Sequence, residues 1–403
     1  MTLRRLHLPY PALVFGRLGL VIVFGLGLGL LLSEVALRLF APFLPYQIEP
    51  YLAQKAWLFT EAGLPRFVAE HRLLWEQDDF LRERVKPGMD LVIHGNPEYP
   101  TWHVKTDSLG LGPVGFRDTL PNAAPFALVV GDSFGFGMGV AQEAIWSELL
   151  ERQTGLSFVN LSQTGASSLQ EARLYARYGR KLPARLVFWL FFQNDLKDNL
   201  RFAHWDNPDA PIIEAARQPD HICSGSFHNF LERYSLTYEL VLFSRQACHY
   251  SNLVPHPIYR DLHLSLTFCL DHDICDLGVQ ARMLSDGWPL TRQALQDTLA
   301  QLDQSGATLV IITVPSKEQV YWDQFRQMAT FPPGYNIDQL VEPLRQFCMS
   351  ENLHCFDLTP TFRAEAQKGQ QLYFPIDIHW NTAGHALAAQ AVGEYLRQKN
   401  LLP

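Results

Sequence analysis

The sequence predicts an α/β fold, a three-layer α/β/α sandwich built on a five-stranded parallel sheet. From residue 126 onward, short apolar runs alternate with stretches of helical periodicity. The apolar runs lack the polar alternation of a strand with one face in water, which is typical of strands covered on both faces. Five such runs among helical stretches therefore predict βα units in one parallel sheet.

The predicted elements follow one another along the chain. Strands are expected at 126–131, 157–161, 186–192, 307–314 and 354–358. Helices are expected at 141–153, 168–180, 291–304, 337–349 and 382–398. Leu295, Leu299 and Leu302 share one face of the fourth helix, and Ala388, Val392 and Leu396 share one face of the last. Asn381 is expected to cap that last helix.

The first forty residues predict a membrane anchor. Arg4, Arg5 and Arg17 precede the apolar run from Leu18 to Leu32, so residues 1–17 are expected in the cytoplasm and 18–40 in the membrane. A cleaved signal peptide is the alternative, but no clear small-residue cleavage site follows the run. In either case the rest of the chain is expected outside the cytoplasm, in the periplasm or at the cell surface.

Two further regions complete the predicted organisation. Residues 41–120 are rich in proline, glycine and aromatic residues and are expected to form an irregular or short-stranded lead-in to a catalytic domain at 121–403. Residues 199–288 interrupt the alternation of strands and helices, which predicts an insertion in that domain. The insertion acts either as a lid that selects the substrate or only as additional packing.

The candidate nucleophile is Ser133. It follows the apolar run at 126–131 within the sequence Gly131-Asp132-Ser133-Phe134-Gly135. Ligands of open α/β sheets bind beyond the carboxyl ends of the strands, so a serine in this position is expected to lie at the reactive edge. Asp132 is expected to act as a turn or cap carboxylate.

A candidate base and acid lie near the end of the chain, in Asp377-Ile378-His379. A serine hydroxyl is a weak nucleophile until an imidazole takes its proton, and the imidazole needs a carboxylate to orient it. His379 and Asp377 fit these two roles. His385, six residues later, is expected to be a packed, hydrogen-bonded histidine.

Candidate oxyanion donors follow two other predicted strands. Gly165 lies in Asn160-Leu161-Ser162-Gln163-Thr164-Gly165, and Asn194 lies in Phe191-Phe192-Gln193-Asn194-Asp195. If three parallel strands end side by side, the amides of Ser133 and Gly165 and the side chain of Asn194 can converge on one oxygen. Asp195 is expected to brace this region.

In this order, the four blocks resemble the SGNH (GDSL-like) hydrolase family, whose blocks carry Ser, Gly, Asn and an Asp/His pair. The resemblance runs from about Phe126 to Leu396 and implies the flavodoxin-like SGNH fold and ester chemistry. The sequence departs from the family at Phe192, where glycine is usual, and at Asp377, which precedes His379 by two residues rather than three. The shorter spacing resembles acetyltransferase-like relatives that modify exported polysaccharides.

Other motifs are weaker. Gly131 to Gly135 also fits the nucleophile elbow of α/β-hydrolases, but that fold needs strands before its serine and separates its acid from its histidine. Gly135-Phe136-Gly137-Met138-Gly139 lacks the spacing of a dinucleotide loop. The segment Cys269 to Asp276 has no zinc or calcium spacing, so a disulfide-closed acidic loop is favoured over a metal site. No cofactor is expected.

Six cysteines, all in the second half of the chain, suit an oxidising compartment. Proximity suggests the pairs Cys348–Cys355, Cys269–Cys275 and Cys223–Cys248, with free buried thiols as the alternative.

Two other side chains, those of Trp380 and Lys317, each have two possible roles. Trp380 either stacks on a sugar or seals its loop, and Lys317 either steers an anionic or polyol substrate or is a surface lysine.

The composition excludes one class of function and leaves others open. The 403 residues carry a formal charge of -8 and no basic run longer than a pair such as Arg4-Arg5, which argues against nucleic-acid binding. The expected substrate is an acylated carbohydrate or another ester, attacked by Ser133. Hydrolysis of acetyl esters of an extracytoplasmic glycan is the leading hypothesis. The alternatives are polysaccharide O-acetylation, lipid ester hydrolysis and a non-catalytic scaffold, and the oligomeric state stays open.

Overall fold

A computed structural model describes residues 24–37, 39, 73–93, 100–121, 123–210, 237, 257–270 and 275–403. The chain divides into two compact units. The first comprises Met1–Val68 and His221–Ser251, and the second comprises Ala69–Asp220 and Asn252–Pro403. The second unit contains the residues that the sequence singles out for chemistry.

In the first unit, residues 24–37 are helical and expose apolar side chains, among them Phe24 and Leu26. Thr237 donates its backbone N–H to Glu34 at 3.0 Å. Among the residues described, no helix combines the length and apolar character that crossing a membrane requires. The first residues of the predicted anchor, 18–23, lie outside the described part of the chain.

The described residues form eleven strands. They are β1 (Trp75–Asp78), β2 (Arg82–Val85), β3 (Asp90–Ile93), β4 (Trp102–Lys105), β5 (Ala127–Val130), β6 (Phe158–Asn160), β7 (Leu186–Phe192), β8 (Ile258–Arg260), β9 (Ser265–Thr267), β10 (Thr308–Val314) and β11 (His354–Asp357). Three antiparallel pairs join β1 to β2, β3 to β4 and β8 to β9. The first two pairs lie within the predicted lead-in.

The central sheet has five strands in the order β11-β10-β7-β5-β6. All four pairings are parallel, with Leu128 opposite Val187 and Val310 opposite Phe188 in register. The predicted five-stranded parallel sheet is therefore confirmed. Because β6 and β7 lie on opposite sides of β5, the strand order reverses at β5, and the residues after these three strands share one edge of the sheet.

The second unit contains eleven α-helices among its described residues. They are α1 (Ser133–Phe136), α2 (Trp146–Thr154), α3 (Ser168–Arg177), α4 (Asp195–Asp206), α5 (Leu277–Arg282), α6 (Trp288–Ser305), α7 (Lys317–Val320), α8 (Trp322–Phe325), α9 (Glu342–Ser350), α10 (Thr359–Gln367) and α11 (Thr382–Gln398). A π-helical turn at Met283–Gly287 leads directly into α6.

Both faces of the sheet are covered by helices. Val187, Trp189 and Phe191 point into a core formed with residues of α3, α4, α6 and α9. On the opposite face Phe188 meets Trp146 of α2, with ring centroids 5.8 Å apart, and α2 packs against α11. This alternation along β7 explains its continuous apolar sequence, because both sets of side chains are buried.

The structure corrects several predicted boundaries. The predicted helix at 337–349 begins only at Glu342, and the predicted helix at 168–180 ends at Arg177 before a separate 3₁₀ turn. Helix α4 occupies Asp195–Asp206, so the predicted interruption at 199–288 starts inside a regular helix. The sequence analysis did not predict α10 either. Both helices carry many polar residues, which weakened their periodic signal.

Two of the predicted disulfides are present. Cys269 bonds to Cys275, and Cys348 bonds to Cys355 between the end of α9 and β11. Cys223 and Cys248 lie outside the described residues. Glu318 lies beside the Cys269–Cys275 pair, but both sulfurs are committed to the disulfide rather than available as thiolates. This finding agrees with the disulfide-closed loop that the spacing favoured.

Candidate active site

Ser133 is the first residue of α1, directly after β5 and the turn at Gly131-Asp132. The carboxylate of Asp132 accepts the backbone N–H of Phe134 at 2.9 Å and so caps this short helix. Asp132 therefore has the cap position that the sequence predicted. Burial raises the pKa of Asp132 to about 6, partly offset by that hydrogen bond.

Close packing fixes the position of α1. A side chain at Gly135 would bring its Cβ within 2.2 Å of Ser162 Oγ and 2.8 Å of Ser162 Cβ. Asn160 donates its side-chain amide to the Gly135 carbonyl at 2.7 Å. The glycine two residues after the nucleophile is therefore needed because the loop after β6 lies against α1.

A buried arginine holds the other end of the nucleophile segment. The guanidinium of Arg117 donates to the carbonyls of Phe136 at 3.2 Å, Gly137 at 2.5 Å and Val140 at 2.6 Å. It also donates to the His103 carbonyl at 2.9 Å. The sequence analysis did not identify Arg117. It binds the last carbonyl of α1 and two carbonyls of the turn that follows.

Ser133, His379 and Asp377 form a continuous chain of hydrogen bonds. The Oγ of Ser133 lies 2.7 Å from Nε2 of His379, and Nδ1 of His379 lies 2.5 Å from Oδ1 of Asp377. Ser133 and His379 are each 8% exposed, so a small reagent can reach them while bulk water is largely excluded. The structure brings together the three residues that the sequence assigned to nucleophile, base and acid.

The surroundings of Asp377 favour its charged form. Burial raises the pKa of the Asp377 carboxyl, but the charge and hydrogen bonds of His379, together with the nearby Lys317 ammonium, outweigh burial and hold this pKa below its ordinary value. Asp377 is therefore ionised at neutral pH. An ionised acceptor at Nδ1 places the remaining imidazole lone pair on Nε2, facing Ser133.

Phe192 occupies the position where the family usually has glycine, and the structure shows what its ring contacts. Its ring lies 4.7 Å from that of Phe134, which in turn lies 5.0 Å from the His379 ring and 5.1 Å from Trp380. Trp380 is 1% exposed. Of its two suggested roles, sealing the loop is confirmed, since no face is open for a sugar. Phe134 therefore packs against the His379 ring and connects it to the rings of Phe192 and Trp380.

The candidate oxyanion donors follow neighbouring strands. Gly165 lies in the loop after β6 with φ +68°, a left-handed backbone that favours glycine. Asn194 lies two residues after the end of β7 and occupies the N-cap position of α4, without a capping hydrogen bond from its side chain. Within the described residues, the buried Oδ1 atom of Asn194 has no hydrogen-bond partner. Because β5, β6 and β7 are adjacent and parallel, both residues share the sheet edge with Ser133. Their oxyanion role stays a prediction.

Two carboxyl groups lie buried behind this edge. Asp195 accepts a hydrogen bond from the Ser168 hydroxyl at 3.0 Å, which fits its predicted bracing role. Burial, reinforced by neighbouring carboxylates, raises the pKa of Asp195 and of Glu171 well above their ordinary values. Burial therefore favours the uncharged form of both groups. Glu171 was not predicted, because nothing in a polar helix sequence marks one glutamate as fully buried.

His385 is a packed histidine, as predicted. Its Nδ1 accepts the backbone N–H of Trp146 at 3.3 Å, and burial lowers its pKa to about 3.

The structure contradicts both of the roles predicted for Lys317. It is 2% exposed, so it is neither a surface lysine nor free to steer a substrate. Its ammonium is instead directed at backbone carbonyls of neighbouring segments.

A serine, a histidine and an aspartate linked in series at the carboxyl edge of a parallel sheet define a serine-dependent acyl hydrolase or acyltransferase. Residues 281–403 match the family described as "SGNH hydrolase-like domain, acetyltransferase AlgX". This carboxyl-terminal part of the chain is therefore similar to SGNH hydrolases and to O-acetyltransferases of that type. No curated protein matches the chain significantly in sequence.

Solved structures also resemble the chain at low sequence identity. LAE5, an alpha/beta hydrolase enzyme from the metagenome of Lake Arreo, is 13% identical, with 70% of this chain and 98% of that chain covered and a TM-score of 0.36. A catalytic mutant of the acetylxylan esterase Axe2 from Geobacillus stearothermophilus is 13% identical, with 69% and 95% covered and a TM-score of 0.34. The salicylyl-acyltransferase SsfX3 of a tetracycline biosynthetic pathway is 15% identical, with 71% and 58% covered and a TM-score of 0.33.

Proposed function

We propose that this protein is a serine esterase that removes acyl groups, in the first instance acetyl groups, from esters of an extracytoplasmic glycan. One observation carries the proposal: the Ser133 hydroxyl, the His379 imidazole and the Asp377 carboxylate are linked by two short hydrogen bonds of 2.7 Å and 2.5 Å. This arrangement is what activation of a hydroxyl nucleophile requires. The glycan substrate is inferred from the resemblance to enzymes that modify exported polysaccharides.

The first half of the reaction forms an acyl-enzyme. The Ser133 oxygen attacks the ester carbonyl carbon while Nε2 of His379 takes the hydroxyl proton, and the carbonyl oxygen becomes an oxyanion. Asp377 stabilises the resulting imidazolium through Nδ1. The tetrahedral intermediate then breaks its bond to the sugar oxygen, which leaves with the proton from His379. The products of this step are a free sugar hydroxyl and an acyl ester on Ser133.

The second half depends on the acceptor. In hydrolysis, His379 takes a proton from water as the water oxygen attacks the acyl carbon. The bond to the Ser133 oxygen then breaks, His379 returns the proton to that oxygen, and acetate leaves. In transfer, a second sugar hydroxyl takes the place of water and becomes acetylated. The two reactions share the acyl-enzyme, so the same residues serve both. The match of residues 281–403 to an acetyltransferase family and the Asp-x-His spacing are the reasons to test transfer beside hydrolysis.

We also propose that the amino-terminal segment holds the enzyme at the extracytoplasmic side of a membrane. The proposal is supported by the apolar sequence from Leu18 to Leu32 and by the exposed apolar side chains of the helical residues 24–37. A reporter fused to the carboxyl terminus tests it. The reporter is an enzyme that is active only in the oxidising, extracytoplasmic compartment, and we expect its fusion to be active. Activity of a fused reporter that works only in the cytoplasm would refute the orientation.

The catalytic proposal is tested by labelling the full-length chain with a fluorophosphonate and measuring its intact mass. We expect one adduct on the wild type and none on Ser133→Ala or His379→Ala. Ser147→Ala is the matched control, since Ser147 is buried in α2 and takes no part in the triad, and this variant should keep the adduct. A folded wild-type chain that acquires no adduct would favour the scaffold hypothesis.

The substrate is tested with acetylated oligosaccharides, with and without an unacetylated acceptor. Acetate release without a change in the acceptor's mass indicates an esterase, and a gain of one acetyl group on the acceptor indicates a transferase. If neither reaction occurs while a lipid ester is cleaved at a rate that depends on Ser133, the glycan is the wrong substrate class.

A further inference from the structure

Lys317 is the first residue of α7, three positions after the end of β10, and is almost fully buried. Its ammonium donates to three backbone carbonyls: Phe374 at 2.8 Å, Thr267 at 3.1 Å and Pro375 at 3.2 Å. An ammonium has three N–H donors and no acceptor, so the three carbonyls match its full donor capacity. Its charge also favours the ionised form of Asp377.

The three carbonyls belong to two separate segments. Phe374 and Pro375 begin the loop that continues to Asp377 and His379, whereas Thr267 ends β9 of the hairpin formed by β8 and β9. The segments also contact each other directly. The Thr267 N–H donates to the Pro375 carbonyl at 2.9 Å. Within the loop itself, the Phe374 N–H donates to the His379 carbonyl at 3.1 Å. Lys317 therefore joins the hairpin to the loop that carries the base and the acid.

Two carboxylates favour the charged form of the Lys317 ammonium. Asp377 on the loop and Glu318 on α7 are the carboxylates whose charges act on Lys317. Glu318 accepts the backbone N–H of Cys269 at 2.8 Å, just beyond the hairpin. Burial lowers the pKa of Lys317 to about 8, although both carboxylates oppose this shift. Lys317 is therefore mostly charged at neutral pH and loses its charge in mildly alkaline solution.

We propose that Lys317 is a positioning residue that holds the Phe374–His379 loop against the hairpin and thereby keeps His379 in line with Ser133. The effect on catalysis rests on the proposed function. The effect on the loop does not, because the hydrogen bonds exist independently of any substrate. A positioning residue of this kind changes the rate of acylation more than it changes substrate binding.

The first test compares amide hydrogen exchange in the wild type and in Lys317→Met, with Lys368→Met as the control. Lys368 is an exposed lysine paired only with Glu365 among the described residues. We expect the amides of Thr267, Phe374 and His379 to exchange about tenfold faster in Lys317→Met and unchanged in the control. Unchanged exchange at these amides in a folded Lys317→Met would overturn the proposal.

The second readout is the rate of fluorophosphonate labelling of Ser133. We expect Lys317→Met to be labelled at about a tenth of the wild-type rate or more slowly. The dependence of the rate on the fluorophosphonate concentration should change little. Faster exchange combined with an unchanged labelling rate would overturn the positioning role. If the wild type itself is not labelled while exchange still increases in Lys317→Met, the esterase proposal fails and the structural junction stands.

A third measurement needs no variant and covers the case in which Lys317→Met does not fold. A neutral amine keeps only two N–H donors, so one of the three carbonyls loses its partner when Lys317 deprotonates. The protection of the Thr267 and Phe374 amides, divided by that of the amides in α11, should fall as pH rises from 7 to 9. A constant ratio across this range would refute the role of the ammonium charge.

Discussion

One oxygen of Asp377 accepts two hydrogen bonds from the same residue, His379. Its Oδ1 atom lies 2.5 Å from the ring Nδ1 and 2.8 Å from the backbone nitrogen of His379. The spacing of two residues makes this possible, because the carboxylate folds back onto the amide two positions ahead as in an Asx turn. Asp377 therefore holds both the backbone and the ring of His379, the proposed base, and the shorter spacing allows both hydrogen bonds.

We predict that Asp377→Asn lowers kcat for an acetyl ester by about 1,000-fold or more, with KM little changed. The amide can still accept one hydrogen bond, but it does not stabilise the imidazolium and can favour the wrong tautomer. Steady-state kinetics of the folded variant test this. Asp323→Asn, at an exposed position, is the control and should retain wild-type rates. A variant of Asp377 with more than a tenth of wild-type kcat would exclude its role as the acid.

Asn194→Ala should lower kcat by about 100-fold to 1,000-fold through the loss of one oxyanion donor, again with little effect on KM. Asn207→Ala, at the other end of the same helix α4, serves as the control and should behave like the wild type. The comparison requires only kcat and KM on one ester. Full activity of Asn194→Ala would remove this side chain from the site and leave the oxyanion to backbone amides.

His385 should make the protein lose stability in acid. Its folded pKa of about 3 lies below the ordinary value of 6.5, so between these values the unfolded chain binds a proton that the folded chain does not. The free energy of unfolding therefore falls as pH decreases through this window, by up to about 1.4 kcal/mol per pH unit from this group. Protonation would also remove the acceptor for the Trp146 N–H.

Urea unfolding at pH 7 and pH 5 isolates this contribution when wild type and His385→Gln are compared. The stability lost between the two pH values should be smaller in His385→Gln by up to about 2 kcal/mol, since glutamine does not titrate. His354→Gln, on the edge strand β11, is the control and should keep the wild-type difference. An identical loss in wild type and His385→Gln would show that other groups cause the acid sensitivity.

Arg117→Met should lower the free energy of unfolding by about 3 kcal/mol or more. Methionine preserves much of the volume, but four backbone carbonyls around α1 and β4 lose their charged donor. Arg326→Met removes an exposed arginine that pairs with Asp323, and this control should change stability by less than about 1 kcal/mol. A loss below about 1 kcal/mol in Arg117→Met would mean that water replaces the guanidinium at these carbonyls.

The sequence predicted the central sheet well because its strands are marked by composition alone. The structure places β7 at Leu186–Phe192 and α11 at Thr382–Gln398, with the bounds that the sequence predicted. A strand buried on both faces must be apolar at every position, and a helix on a sheet must be apolar on one side. Helices α4 and α10 were missed because polar residues outnumber apolar ones in both, although each buries apolar side chains such as Leu196 of α4 and Phe362 of α10.

The sequence by itself determined the parallel sheet, the positions of Ser133, Asp377 and His379 along the chain, and two of the disulfides. These follow from local patterns: apolar runs, short motifs and close spacing. Only the tertiary structure decided which charged side chains are buried. Arg117, Lys317 and Glu171 look like ordinary surface residues in sequence, because burial of a charge depends on carbonyls and carboxylates supplied by distant segments. Those contacts exist only after β5, β10 and the final loop have come together.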